Sequence, residues 1–367
     1  MICSTEVGAR LVSPRTKKGV IMVDLLKTLC EVPGVTGFED EAQDIVTAEL
    51  EAICDRVWRD RLGNVIGLRK ATIGSGDRPR VMYAAHVDEI GLMVNHIDEE
   101  GFIRFTPIGG LVPCNIISQR VVIHGKKKLN GVISPRIRGA VKEADLQKMP
   151  ELADLYIDVA LPRTEVAAAV DVGDVISLDQ DFRYLNDNVV TARNFDDRLG
   201  VYCMIEAMKR LGKTEVDVYA VSTVQEELGV RGAPVAAYAI EPDFGIAIDG
   251  SLSWDVPNTA NHEKHCHMGQ GTGIYMMDRL TLGSPRLCRF LIELCQREGI
   301  PCQRNMGGGT DASAMQRTKL GALCTTIGAP TRYMHSTVQL AHLDDVRATS
   351  ALLRAFAEHA HELYASA

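Results

Sequence analysis

The chain has 367 residues, of which 46% are hydrophobic and 24% charged, and it carries a formal net charge of −8. That length exceeds what one core usually organises, so two domains are expected. The acidic balance excludes the clustered basic surface that nucleic acid or an anionic membrane requires, and no apolar stretch approaches the roughly 20 residues that span a bilayer.

Residues 1–21 set Arg10, Arg15, Lys17 and Lys18 against Glu6 without a long apolar run. They read as a disordered N-terminal extension rather than a secretory signal, and their composition also admits a transit peptide. VDLLKTLCEVP predicts a short helix stopped by Pro33 and Gly34. Thr36-Gly-Phe-Glu39 has the spacing of a capping box opening an amphipathic helix over residues 39–53. VMYAAHV then predicts a buried parallel strand, because such strands are continuous apolar runs.

Residues 92–188 differ. Their apolar segments are short and alternating: FIRFTPI, QRVVIHG, NGVISP, LYIDVAL and GDVISL. Asn130-Gly131 marks a two-residue hairpin turn. The segment predicts a small β-barrel or sandwich inserted into a larger domain formed by residues 22–91 and 189–367. In that second half, helix-period stretches (DRLGVYCMIEAMKRLG, PRLCRFLIELCQREG, VRATSALLRAFAEHAHELYA) alternate with the apolar runs VDVYAVSTV, FGIAID and ALCTTIGA. The expected fold class is α/β, with a mixed, mostly parallel sheet flanked by helices. The ten cysteines lack CxxC pairing, which fits a reducing, cytoplasmic setting with free thiols.

Five metal-type residues sit beside these apolar runs: His86, Asp196, Glu227, Asp249 and His335. Ligands of open α/β sheets bind at the carboxyl ends of the strands, and a set of imidazoles and carboxylates there is what two divalent cations need. His86 and Asp88 are two apart in a strand and share a face, so Asp88 is placed to orient the imidazole. Asp196, in NFDDRLG, opens a helix, where an Asp is either an N-cap or a carboxylate bridging two cations. Glu226 and Glu227 end a strand and point in different directions, which suits one ligand and one general base or a solvated pair. His262, His265 and His267 crowd one segment, read as a solvated loop in preference to a second metal site.

HVDEIG, NFDDRLG, VQEELGVRGA, AIDG, GGGTDAS and RYMHS occur in that order. Together they resemble the TET-type cocatalytic metallo-aminopeptidases, a group that includes glutamyl and deblocking aminopeptidases and some members once labelled endoglucanases. The resemblance covers roughly residues 22–360 and implies a zinc-peptidase-like fold. It further implies that His86, Asp196, Glu227, Asp249 and His335 ligate two metals (zinc, cobalt or manganese), with Asp196 bridging. One metal would see His86 with Glu227 or Asp249, the other His335 with the remaining carboxylate. Glu226 would be the general base and Asp88 the residue orienting His86. The implied partners are peptides with a free N-terminus and further copies of the chain, assembled as dimers or dodecamers through the insert. Arg332 and the loop Gly307–Asp311 look like substrate-side elements, and Gln339 stands where many relatives carry Glu. Competing activities on such a scaffold are an N-acyl deacylase or a carboxypeptidase. A glucanase fits less well, because two histidines have no role in a two-carboxylate mechanism.

Overall fold

Val81, Met82, Tyr83, Ala84 and Ala85 are all buried, so both faces of their strand have to be covered. The computed structural model describes residues 17–74, 76, 78–135 and 150–365, with side chains from residue 24 onward. It begins with α1 (Lys17–Glu31), α2 (Asp40–Glu51), β1 (Arg56–Arg59), β2 (Val65–Arg69) and β3 (Arg80–His86). Next come β4 (Gly91–Ile97), β5 (Ile103–Ile108), the short α3 (Pro113–Ile116), β6 (Arg120–His124), β7 (Lys128–Ser134), β8 (Tyr156–Asp158), α4 (Arg163–Ala169) and β9 (Val175–Leu178). The chain continues through β10 (Arg183–Tyr184), β11 (Val189–Ala192), α5 (Phe195–Arg210), β12 (Asp217–Thr223), α6 (Gly232–Ile240), β13 (Phe244–Ile248) and β14 (Ser251–Leu252). Last are β15 (Thr272–Met277), α7 (Pro285–Glu298), β16 (Cys302–Met306), α8 (Ala312–Gln316), β17 (Leu323–Gly328), β18 (Pro330–Arg332), β19 (Gln339–His342) and α9 (Leu343–Ala365).

An eight-stranded sheet has the order β1-β2-β12-β3-β13-β17-β15-β16. The four central strands β12, β3, β13 and β17 run parallel, while β2 and β15 lie antiparallel to their inner neighbours. This is the mixed α/β architecture expected. On β3, Val81, Tyr83 and Ala85 join the largest core with residues of α1, α5, α7 and α9. Met82 and Ala84 face Ala236, Ala237 and Ile240 of α6 and Ala312 and Met315 of α8. Side chains alternate along a strand, so one apolar run packs two helical layers.

The stretch between β3 and β10 closes into a six-stranded barrel, order β4-β5-β8-β7-β6-β9, around a core of its own that includes Leu92, Ile103, Val121, Ile123, Ile133, Ile157 and Ile176. Its first and last strands pair with each other, Leu92 opposite Ile176. A second sheet, β10-β11-β19-β18-β14, carries the segments that end beside the carboxyl edge of the large sheet.

Three expectations change. The first helix begins at Lys17, inside the segment read as an extension, and residues 1–16 lie outside the described residues. Asn130 and Gly131 are not the hairpin turn: they lie within β7, opposite Val122 and Val121, and the chain reverses over residues 125–127. The glycine answers to packing, since a Cβ at Gly131 would lie 2.5 Å from Ile157 Cγ2. Nor do Thr36 and Glu39 form a capping box. The helix starts at Asp40 without a side-chain cap, and both residues reach across to the sheet edge.

Candidate active site

Register places two of the expected residues at one level. His86 ends β3 opposite Thr223, the last residue of β12. Ala84 pairs with Ala247 of β13, which sets Asp249 level with His86 two residues further on. Glu226 and Glu227 follow β12 through Gln225, whose φ of 56° is a left-handed conformation unusual for a side-chain-bearing residue. His335, also at φ 56°, follows β18. Strained backbone of this kind collects where the surroundings over-determine a geometry.

Asp196 joins these ends. It lies at the start of α5 with non-helical angles (φ −82°, ψ 102°), and the Asp196–Asp197 peptide is cis. Its Oδ1 lies 3.0 Å from His86 Nε2 and its Oδ2 3.3 Å from His335 Nε2. Glu227 Oε2 is 3.6 Å from the same His335 nitrogen. The result is two groups with ligand atoms within 4.8 Å of one another, His86–Asp196–Asp249 and Asp196–Glu227–His335. The sequence left open which carboxylate accompanies which histidine; here Asp249 lies with His86 and Glu227 with His335.

Asp88 is fully buried and saturated with donors. Its carboxylate accepts from Thr36 Oγ1 at 2.7 Å and from the backbone N–H groups of Glu226 and Glu227 at 2.9 and 3.2 Å. His86 Nδ1 meets the Asp88 carbonyl at 3.1 Å and its carboxylate at 3.5 Å. The residue expected to orient His86 therefore also pins the Glu226–Glu227 turn. Glu39 assists by accepting from the N–H groups of Gly37 and Gln225. Behind Asp196, Gln339 accepts the Asp196 N–H at 2.8 Å and donates to the Arg193 carbonyl at 3.1 Å. A neutral amide satisfies both partners, whereas a carboxylate could only accept. The barrel reaches the site through Gly110, whose carbonyl accepts from His335 Nδ1 at 3.0 Å. A Cβ on Gly110 would fall 2.4 Å from that nitrogen.

Charge is lopsided here. Asp196, Asp197, Glu226, Glu227, Asp249 and Asp311 crowd two imidazoles. Burial pushes Asp249 and Glu226 well above the carboxylate range. For Asp249 the charge on Asp196 adds to this; for Glu226 His86 works against burial, while like charge on Asp311, Asp249 and Glu227 works with it. Burial, with Asp196 adding to it, lifts Glu227 to about 8. Asp196 goes the other way: burial raises it, but hydrogen bonds from His335 and His86 more than offset this and hold it below the usual range. Glu227 Oε1, Asp197 Oδ2 and Asp311 Oδ1 are buried without a hydrogen-bond partner. Unpartnered buried carboxylate oxygens beside histidines are a donor set suited to divalent cations of the zinc, cobalt or manganese kind.

Arg332 is committed to Asp255, with Nε 2.7 Å from Oδ1. Asp311 accepts from Thr223 Oγ1 at 2.6 Å, beneath the sheet edge. Among the described residues His262, His265 and His267 join no group of three metal-type side chains. The sequence reading missed Thr36, Arg193 and the role of Gln339. Gln339 was legible only as an anomaly, and Arg193 directly precedes a quoted motif without its pattern marking it.

Residues 63–352 match the family model described as M42 glutamyl aminopeptidase. The chain belongs to that family. It is an aminopeptidase, and M42 peptidases are metal-dependent. The lysyl aminopeptidase of Pyrococcus furiosus is 37% identical over 349 residues, 92% of this chain and 97% of the relative. Among solved structures, an aminopeptidase from Desulfurococcus kamchatkensis superposes with a TM-score of 0.88 at 37% identity, covering 93% of this chain and 96% of the other. The TET1 peptidase of Pyrococcus horikoshii, which can assemble into a tetrahedron or a large octahedral shell, superposes at 0.81 with 31% identity, covering 92% and 99%.

One buried pair fastens this frame. Arg193 meets Glu89 twice, Nε to Oε2 at 2.9 Å and Nη2 to Oε1 at 3.1 Å, and Glu89 also accepts the Gly34 N–H. Removing one partner of such a pair costs about 3–5 kcal/mol because the other is left charged in the interior. Arg193→Met should therefore lower unfolding stability by about that much in a urea titration, and adding Glu89→Met should recover most of it. Equal losses in the single and double variants would show that the pair is not what holds the segment.

Proposed function

We propose that this chain hydrolyses the first peptide bond of peptides bearing a free N-terminus, with two divalent cations held by His86, Asp196, Glu227, Asp249 and His335. The observation that carries this is Asp196, whose two carboxylate oxygens face separate histidine–carboxylate groups. When bound, such cations polarise the scissile carbonyl and bring a water's pKa down towards neutrality. Glu226 takes the proton of the attacking water and returns it to the departing amine. Its burial and the like charges around it raise its basicity, and the Asp88 bonds to its backbone N–H hold its turn in place. Surplus carboxylate beside one cation suits the substrate's ammonium group. The names of relatives span lysyl and glutamyl aminopeptidases, so the shared centre supports the reaction rather than one preferred first residue.

A free-amine aminoacyl anilide should be cleaved and its N-acetyl derivative left intact. Chelation should abolish activity, and zinc, cobalt or manganese should restore it. Cleavage of both substrates at similar kcat/KM would favour a deacylase instead. Glu226→Gln should retain metal by elemental analysis while kcat falls about 10²–10⁴-fold. Near-native turnover with full metal content would remove Glu226 from the mechanism.

We also propose that the barrel carries contacts between copies of the chain and shapes substrate access, in line with the shells formed by the Pyrococcus horikoshii relative. Because β4 and β9 are neighbours, a short linker can replace the barrel without stretching the parent sheet. That variant should elute as a smaller species than the intact protein's assembly. Retention of the native oligomer would exclude the barrel as the contact.

A further inference from the structure

Two cysteines far from this site stand apart from the others. Cys295 lies in the last turn of α7, and Cys302 opens β16. The intervening turn is closed by Gly299, at φ 66°, and by the Ile300 N–H donating to the Cys295 carbonyl at 2.9 Å. Cys295 is buried and Cys302 half-buried, yet both line one open surface cavity of about 690 Å³. The two side chains thus reach one recess from the two ends of a single turn, with Cys302 the more accessible.

The electrostatics match that geometry. The neighbouring Cys295 thiol and Arg304 outweigh burial and bring the Cys302 thiol down to about 7, while Cys302 and burial drive Cys295 up. Burial instead pushes Cys30, Cys266 and Cys324 up to about 12 and Cys54 up to about 11. A solvent-accessible thiol of low pKa with a second thiol in the same recess is the arrangement of oxidant-reactive cysteines.

We propose that Cys302 and Cys295 are a peroxide-reactive dithiol in which Cys302 attacks and Cys295 resolves, cross-linking the end of α7 to the start of β16. In the first step the Cys302 thiolate attacks a peroxide oxygen; an S–O bond forms, the O–O bond breaks, and the other oxygen leaves as hydroxide. In the second, Cys295 gives up its proton and attacks the Cys302 sulfur; an S–S bond forms and the S–O bond breaks, releasing water. Two thiols lose two electrons, and the peroxide is reduced to two waters. The link would anchor β16, whose exit loop, Gly307–Gly309, leads to Asp311 under the sheet edge. This inference does not depend on the metal reading.

Trypsin makes the test direct, because cleavage after Arg289, Arg297 and Arg304 separates residues 290–297 from residues 298–304. The full chain, reduced and then treated with hydrogen peroxide, is blocked with iodoacetamide and digested. The expected product is the two peptides joined, lighter by two hydrogens than their sum and released by dithiothreitol. Cys295→Ser should leave Cys302 as a sulfenic acid captured by dimedone, and Cys302→Ser should yield neither the linked peptide nor dimedone on Cys295. In the untreated protein at neutral pH, Cys302 should alkylate roughly ten-fold faster than Cys54. Oxidation confined to the exposed Cys114, or a Cys302 alkylation rate no greater than that of Cys54, would overturn the proposal.

Discussion

Like charge held together in a dry place is the constraint around which this molecule is organised. Asp196, Glu227 and Asp249 converge in one buried place, and among the described residues no Lys or Arg pairs with them; only the imidazoles of His86 and His335 reach them. Arg193 is matched by Glu89. Arg198, fully buried, turns its guanidinium to the carbonyls of Leu29 and Val87. The immediate supports of the cluster are neutral: Thr36, the Gln339 amide and backbone N–H groups. Donors of that kind position carboxylates without cancelling their charge, so the deficit is kept for an ion.

The large sheet makes such a concentration tolerable. Its four parallel strands are covered on both faces by helices, and their carboxyl ends open towards a second sheet and the barrel. Residues far apart in the chain meet there because β3, β12 and β13 are in register. The remaining two, Asp196 and His335, come from segments flanking the smaller sheet, in which β11 pairs with β19 and β19 with β18. Gln339 stitches these segments by binding the backbone on either side of Asn194.

Much of this was legible in advance where one physical rule dominated. Continuous apolar runs gave the parallel strands, and polar residues at their ends gave the side chains that the structure brings together, because burial and strand-edge placement are written in local pattern. Legibility failed where a local signal had a distant cause. Thr36 and Glu39 carried the spacing of a cap but bond to Asp88 and Gln225. Asn130-Gly131 carried a turn signal, yet the glycine serves a crowded barrel interior. The partner of Asp249 as against Glu227 could not be read at all, since it depends on loop paths with positive-φ residues at Gln225 and His335. Arg193 hides from pattern analysis because its partner lies 104 positions earlier.

The barrel leaves and rejoins the parent fold through strands lying side by side, so to the large sheet it is topologically no more than a decorated loop. Its inner rim is nonetheless wedged against the histidine–carboxylate cluster, where a single methyl on Gly110 would collide with His335. One module thus has two unequal frontiers. The outward surface answers to whatever it meets, while the inward lip stays under the veto of one imidazole.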